Sequence, residues 1–466
     1  MLQDEPASRQ QLRAENRELK KALAKRDARI AELERLLIEA QRRPKRQAAP
    51  FGRDREENRA RRKPGRKSGS AYGRRAGRQA PARVDETILV PCPVACPHCQ
   101  AGPVELTGQV ARQVQIDIPM VTYRATQFDV VLGKCLACGR RVQGRDPKQT
   151  TDAVNVGAIH LGANVIALAA NLNKVGGLSY GKIAALLSAL FGLKVAKSTL
   201  VRALQRLSQK AEPTYEALSA DIRGSPVVYP DETGWRIDGS RAWLWVATNR
   251  KTVVFRIERG RGFEQAKALL GEEFSGVIGS DGWAPYRSFK KAERQACLAH
   301  LLRRCVELRE ALASGPRWYV SEVQSVLLSA LTIRDLTREG LLTPAEVAEE
   351  RAVLEGGLDE LLSHTPRHPE VRRLFTHMTT LRGDLFRFLD RPDVEATNWP
   401  AEQAIRPAVV NRKTSGGGNR SDKGARTQAV LMSVLQTAKI AGLDGLASFA
   451  SLLRSPQPAL LPTLVR

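Results

Sequence analysis

The sequence predicts a multidomain α/β protein, and three observations carry that expectation. Between residues 225 and 280 apolar side chains recur with period two around one helical stretch, as in a sheet with a crossover. From 301 to 394 the pattern changes to amphipathic helix. Ahead of both lie a heptad repeat, a basic Pro/Gly-rich tract and two C-x-x-C pairs, each of which needs its own module. The length of 466 residues allows about three domains at about 150 residues each. A hydrophobic share of 42% rules out wholesale disorder. The most apolar run, 156–172, contains His160, Asn164 and Asn171, so no membrane span is expected. The N-terminus lacks a signal-peptide layout, and the reading is a cytoplasmic chain whose seven cysteines serve metal binding or burial. Lys and Arg total 74 against 49 acidic residues, and a net charge of +25 asks for a polyanionic partner.

Residues 1–41 read as a coiled-coil helix. Leu12, Asn16, Leu19, Leu23, Arg26, Ile30, Leu33 and Leu37 alternate in steps of four and three, as a and d positions must. Asn16 at an a position is a register-fixing device, so a homodimer is expected. Residues 42–83 hold 16 Lys+Arg and 3 acidic residues, with many Gly and Pro and few aliphatics, which predicts an unfolded cationic linker. Lys63, Arg66 and Lys67 fall in a stretch suited to a narrow minor groove, and nucleic acid is the natural partner. In 84–150, Cys96-Pro97-His98-Cys99 and Cys135-Leu136-Ala137-Cys138 form two knuckles separated by 35 residues, the spacing of a zinc ribbon. Four thiolates leave no open position, so Zn²⁺ there would be structural. The alternating segments 114–118 and 125–131 are expected as its strands, and Cys92 and His98 are left out of the ligand set.

Residues 151–215 read as a helix-turn-helix domain. A first helix begins near Ser179 with Ile183, Ala184, Leu187 and Leu190 inward, and Gly192 breaks it. A second opens at Ser198 and Thr199 with Leu200, Leu204 and Leu207 inward. Lys197, Ser198, Thr199, Arg202 and Arg206 are thereby turned outward, where a recognition helix meets bases and phosphates.

Three strands then follow in hairpin spacing, at 227–230, 242–246 and 253–257, with a helix over 260–270 and a fourth strand at 276–280. Three antiparallel strands, a helix and a further strand make a ribonuclease-H-like arrangement. Asp231 ends the first strand and Asp281 the fourth, so the two carboxylates can meet at neighbouring strand ends. Such a pair suits Mg²⁺ (or Mn²⁺), a hard cation that takes oxygen ligands, and phosphoryl transfer commonly uses two such ions. Residues 397–406 read as a capped helix start with Pro400 in its first turn. Glu402 and Arg406 lie one turn apart, where Arg406 could hold the carboxylate or a phosphate. Arg412 and Lys413, followed by Ser415-Gly416-Gly417-Gly418, offer charge and flexible backbone for phosphate contacts. Glu232 competes with Asp231 as a ligand, and Glu395 competes with Glu402. Cys297, His300 and Cys305 read either as a second metal site or as two buried thiols beside an active-site, phosphate-contacting His300.

Taken together, Asp231-Glu232-Thr233-Gly234-Trp235, Ser280-Asp281-Gly282-Trp283, Cys297-Leu298-Ala299-His300 and 398–406 resemble a DDE transposase of the bacterial insertion sequence sixty-six family. The resemblance extends over nearly the whole chain through the order of its modules. It implies Asp231, Asp281 and Glu402 as the metal-binding catalytic triad, and 301–395 as a helical insertion within a catalytic domain of 216–300 and 396–450, with 451–466 as a C-terminal tail. It further implies double-stranded DNA as partner, both transposon ends and target, a dimer or higher synaptic assembly on the bacterial nucleoid, and small accessory proteins of the same element. The segment after Glu402 resembles a variant branch of the family.

Overall fold

The computed structural model describes residues 81–94, 97–98, 102, 104–118, 121–154, 160–415 and 417–464. The expected coiled coil, most of the basic linker with Lys63, Arg66 and Lys67, and the first knuckle with Cys96 and Cys99 lie outside the described residues. The chain divides into two compact units at the step from Thr122 to Tyr123.

In the unit that ends at Thr122, the described backbone forms no strand, and Val114, Ile116 and Ile118 are exposed. The expected strand at 114–118 is therefore corrected, and so is that at 125–131 in the other unit, where the described backbone forms no strand before Leu132. Alternation alone does not hold a strand without a third layer to bury its apolar face. In the other unit, two three-residue strands, β1 (Leu132–Lys134) and β2 (Arg141–Gln143), pair antiparallel around the second knuckle. Cys135 donates its amide to Arg140 O at 2.8 Å, and Gly139 donates to Cys135 O at 2.9 Å from a left-handed φ of 68°.

Three helices follow: α1 (Ala163–Lys174), α2 (Tyr180–Phe191) and α3 (Lys197–Arg223). The Ser179 side chain caps α2 at Lys182 N, and Gly192 ends it at φ 67°. Ile183 and Leu187 are buried with Leu200, Leu204 and Leu207, whereas Leu190, expected inward, is exposed. Helix α3 runs on through Pro213, and Tyr215 on it donates to Phe255 O at 2.8 Å.

The sheet comprises β3 (Val227–Ile237), β4 (Ser240–Thr248), β5 (Val253–Glu258), β6 (Val277–Ser280) and β7 (Glu293–Ala296), ordered β5-β4-β3-β6-β7. The first three are antiparallel; β6 and β7 run parallel to β3. Asp238 and Gly239 both take positive φ in the two-residue β3–β4 turn, the geometry that an Asp-Gly hairpin supplies. Helix α4 (Phe263–Leu270) links β5 to β6, and a 3-10 turn (Ala284–Ser288) links β6 to β7. Then come α5 (Leu298–Ala311), α6 (Ser314–Arg338), α7 (Pro344–Ser363), α8 (Pro369–Leu381), α9 (Arg387–Asp390), α10 (Trp399–Ser415), α11 (Asp422–Ile440) and α12 (Gly445–Arg454).

Period two sorts the sheet's side chains into two cores. Tyr229, Leu244, Val246 and Phe255 pack with Leu298, Val323, Leu374 and Met378 of the helices after β7. Val228, Trp245, Ala247 and Val254 pack on the opposite face with Leu218, Leu269, Leu435 and Phe449. The outer strand β5 is closed by α11: Val253 N donates to Thr437 Oγ1 at 3.1 Å and Phe255 N to Ser433 Oγ at 2.9 Å. The molecule is thus mixed α/β, a five-stranded mixed sheet with helices on both faces. Among the described residues no helix is long and apolar enough to cross a membrane.

Candidate active site

The parallel pairing of β3 with β6 sets Val228 opposite Ile278. Asp231 and Asp281 each lie three residues farther on, so the two strands deliver them level with one another. Asp231 is not at a strand end as expected, because β3 continues to Ile237 along β4. It stands where β3 has lost its β6 neighbour, which opens that edge. Asp281 is the first residue past β6; its Oδ1 accepts Trp283 N at 3.0 Å, and Gly282 turns the chain at φ 87°.

Glu402 comes from the first turn of α10, and Asn398 anchors that turn. Buried Asn398 donates Nδ2 to Pro230 O at 3.0 Å, donates its amide to Cys297 Sγ at 3.1 Å, and accepts Glu402 N at 3.1 Å. The Glu402 backbone is therefore tied through Asn398 to the residue before Asp231. His300 Nε2 lies 3.9 Å from Glu402 Oε1. Arg406, expected near Glu402, is exposed and makes no ion pair with it among the described residues. Glu395 is held by Arg250 at 3.0 Å and Arg338 at 2.9 Å.

Burial pushes the Asp231 carboxyl up to about 8, helped by the charges of Glu232, Asp281 and Glu402 against an amide bond from Glu232 N. Carboxylates placed near a desolvated carboxyl are what a dication relieves, and the donor set is all oxygen, so its chemistry, though not its present spacing, suits Mg²⁺ or Mn²⁺. Asn398 Oδ1 adds a buried oxygen with no hydrogen-bond partner in the same corner. Among the described residues, however, no group of three or more His, Cys, Asp or Glu side chains stands close enough together to hold a metal ion.

Glu232 occupies the other face of β3, as its place in the alternation requires. Its Oε1 accepts both Arg261 Nε at 3.0 Å and Nη2 at 2.8 Å, and its Oε2 accepts Tyr286 Oη at 2.9 Å. The Arg261 guanidinium lies 4.6 Å from the ring centres of both Trp243 and Trp283. Glu232 is thus engaged by a guanidinium and a phenol, and burial raises its pKa even so.

The remaining expected residues separate. Lys197, Ser198, Arg202 and Arg206 are exposed at the start of α3, with Thr199 half-buried. Arg412 Nη1 binds Thr233 Oγ1 at 3.3 Å and Gly234 O, so it braces β3. Lys413 is exposed on the same helix. Beyond α10, Asn419 joins β3: it donates to Arg236 O at 2.9 Å, accepts Asp238 N at 2.8 Å, and takes the Trp235 Nε1 donor at 2.8 Å. Cys297 and Cys305 are buried thiols, pushed up to about 11 and about 12 by burial. In the second knuckle, amides of Cys138 and Ala137 lower the Cys135 thiol. Sequence reasoning passes over Arg261, Tyr286, Arg287, Arg304 and His377, whose neighbours only the fold brings together.

Residues 159–427 match the model of the family described as Transposase IS66 family. The chain is similar to "Uncharacterized protein y4qI" of Sinorhizobium fredii (strain NBRC 101917 / NGR234), 28% identical over 55% of this chain and 52% of that one. It is also similar to "Uncharacterized protein y4jD" of the same strain, 25% identical over 56% of each. The matched region spans about half the length of these relatives.

Proposed function

The chain belongs to the Transposase IS66 family, and from that premise we propose that it is a DNA transposase. It would bind the inverted-repeat ends of its insertion sequence, cleave a strand at each end, and join the freed 3′-hydroxyl to target DNA. The observation that carries this reading is the parallel register that brings Asp231 and Asp281 level, with Glu402 tied to β3 through Asn398. The strand order supports a ribonuclease-H-like catalytic domain with 301–395 as its helical insertion.

Asp231, Asp281 and Glu402 would hold two Mg²⁺ or Mn²⁺ ions, which when bound supply Lewis acidity to the attacking and leaving oxygens. The carboxylates orient, Asn398 fixes the Glu402 turn, and Arg261 keeps Glu232 on the opposite face. No side chain is required as a nucleophile, so no protein–DNA covalent intermediate is expected. The exposed start of α3 would serve the end sequence as a recognition helix, and the N-terminal heptads would pair protomers so that two ends are held together. Zn²⁺ on the two knuckles would be structural.

The test is a metal-titrated cleavage and strand-transfer assay on duplexes carrying the element's ends, with Asp281→Asn beside the parent. Joined products that need Mg²⁺ or Mn²⁺ and vanish in the variant support the reading. Cleavage without joining would make the protein a nuclease, and end binding with no cleavage in either protein would make it a DNA-binding relative.

A further inference from the structure

Two arginines and a histidine from three separate elements gather beside Asp281. Arg287 comes from the turn after β6 and lines one small pocket with Gly282 and Leu381, Arg304 comes from α5 and His377 from α8. Arg304 Nη1 lies 3.5 Å from His377 Nδ1, and a Cβ added to Gly282 would stand 3.7 Å from His377 Nε2. The imidazole therefore rests on the backbone that follows Asp281. Burial and the charges of Arg304 and Arg287 hold His377 below its ordinary pKa, with Asp281 opposing them. A donor from Arg304 on Nδ1 selects the tautomer whose proton sits on Nε2.

Both arginines are half-buried, and among the described residues neither meets a carboxylate within ion-pair distance. The surrounding surface behaves otherwise. Arg294 pairs with Asp384 at 3.1 Å, Arg351 with Glu355 at 2.8 Å, and Arg338 with Glu395 at 2.9 Å. A partly desolvated guanidinium without a counter-anion is costly, and the fold places two of them at one spot. Helix α5 also sets His300, near Glu402, one turn before Arg304, so a single helix face runs past the carboxylates.

We infer that Arg287, Arg304 and His377 form an anion site beside Asp281 that takes a phosphodiester of the bound DNA strand. This rests on the transposase reading. The site gives the helices after β7 a part in substrate binding: they carry the counter-charge that lets a polyanion approach an acidic corner. Two guanidinium forks suit phosphate oxygens, and a neutral imidazole adds one N–H donor.

The experiment is equilibrium binding of a fluorescent duplex copied from one end of the element to the full chain, with Ca²⁺ in place of Mg²⁺. Salt is varied from about 50 to 200 mM, and the slope of log K against log salt has a magnitude of about 0.9 for each phosphate that the protein neutralises. Arg304→Gln and Arg287→Gln should each reduce that magnitude, by up to about 0.9, the whole share of the one phosphate they hold, and Arg304→Lys should retain it. Arg309→Gln, farther along α5 and bonded to Gln324 at 2.6 Å, should leave the slope unchanged. The basic linker is common to all variants and cancels in the comparison. Parent-like slopes in both Arg304→Gln and Arg287→Gln, with normal binding by the parent, overturn the anion site and leave the transposase reading standing. An equal reduction in Arg309→Gln also overturns it, and failure of the parent to bind duplex removes both.

Discussion

Asp231 is the residue on which the site's electrostatics converge, and its titration is measurable without any substrate. In the folded chain it keeps its proton up to about pH 8, whereas an unfolded Asp releases it near 3.8. Between those values the native state binds the extra proton, so stability is highest below the window and falls as pH rises through it. Asp231→Asn should remove that slope. Near pH 8 it should be more stable than the parent by about 1 kcal/mol or more, and each kcal/mol is about 1 °C in Tm for a chain of this size. Added Mg²⁺ should raise the parent's Tm and leave the Asn variant's almost unmoved. Thermal melts across the window check this, and a parent whose stability does not fall with pH would contradict it. The adjacent pair Asp231-Glu232 also marks how far single residues are legible. Their candidacy is plain in the sequence, but the choice between them depends on which sheet face carries α5 and α10. The neighbours of Asp281 are hidden altogether, since Arg304 and His377 come from separate helices with no local pattern linking them.

At the scale of elements, legibility follows the strength of the pattern. The strands β3 to β6 are visible because apolar alternation and an Asp-Gly turn agree. The strand β7, Glu293-Arg294-Gln295-Ala296, carries no alternation and does not show in the sequence. Its place in the sheet comes from parallel pairing with β6 and from Gln295, whose Nε2 donates to Leu385 O at 2.9 Å. The glycines after α10 read two ways in the sequence, because glycine signals backbone freedom and equally signals close approach. Gly418 sits at φ 149°, and a Cβ there would lie 2.3 Å from Arg236 O. Gly418→Ala should therefore push the segment off β3 and weaken the Asn419 bonds to Arg236, Asp238 and Trp235. The expected loss is about 1–3 kcal/mol by denaturant unfolding, with faster amide exchange at Asp238 and Asn419. Unchanged stability and exchange would show that the joint is not holding the hairpin.

For the molecule as a whole, the expected α/β class holds in the five-stranded sheet with a helical layer on each face, and α11 ties strand β5 to the helices that precede the sheet. One buried cation lies on that tie. Lys174 at the end of α1 is 2% exposed and donates Nζ to Gln428 Oε1 of α11 at 2.5 Å. Desolvation lowers its pKa from 10.5 to about 7. Above pH 7 the native state holds fewer protons here than the unfolded chain, so this residue makes stability rise with pH. Below 7 it is charged in both states and its desolvation cost is complete. The rise is cleanest up to about pH 9, above which the raised thiols of Cys297 and Cys305 act in the opposite sense. Together with the falling limb set by Asp231, these two residues place a dip in the stability profile near pH 7 to 8. Lys174→Met alone leaves Gln428 Oε1 without its donor, at a cost of about 1–3 kcal/mol. The double variant Lys174→Met/Gln428→Leu removes both polar partners and should exceed the parent in stability near pH 7, with a flattened alkaline limb. Denaturant unfolding from about pH 6 to 9 reads both effects. A double variant that melts below the parent at every pH would mean that the Lys174–Gln428 pair, despite its burial, stabilises the packing of α1 on α11.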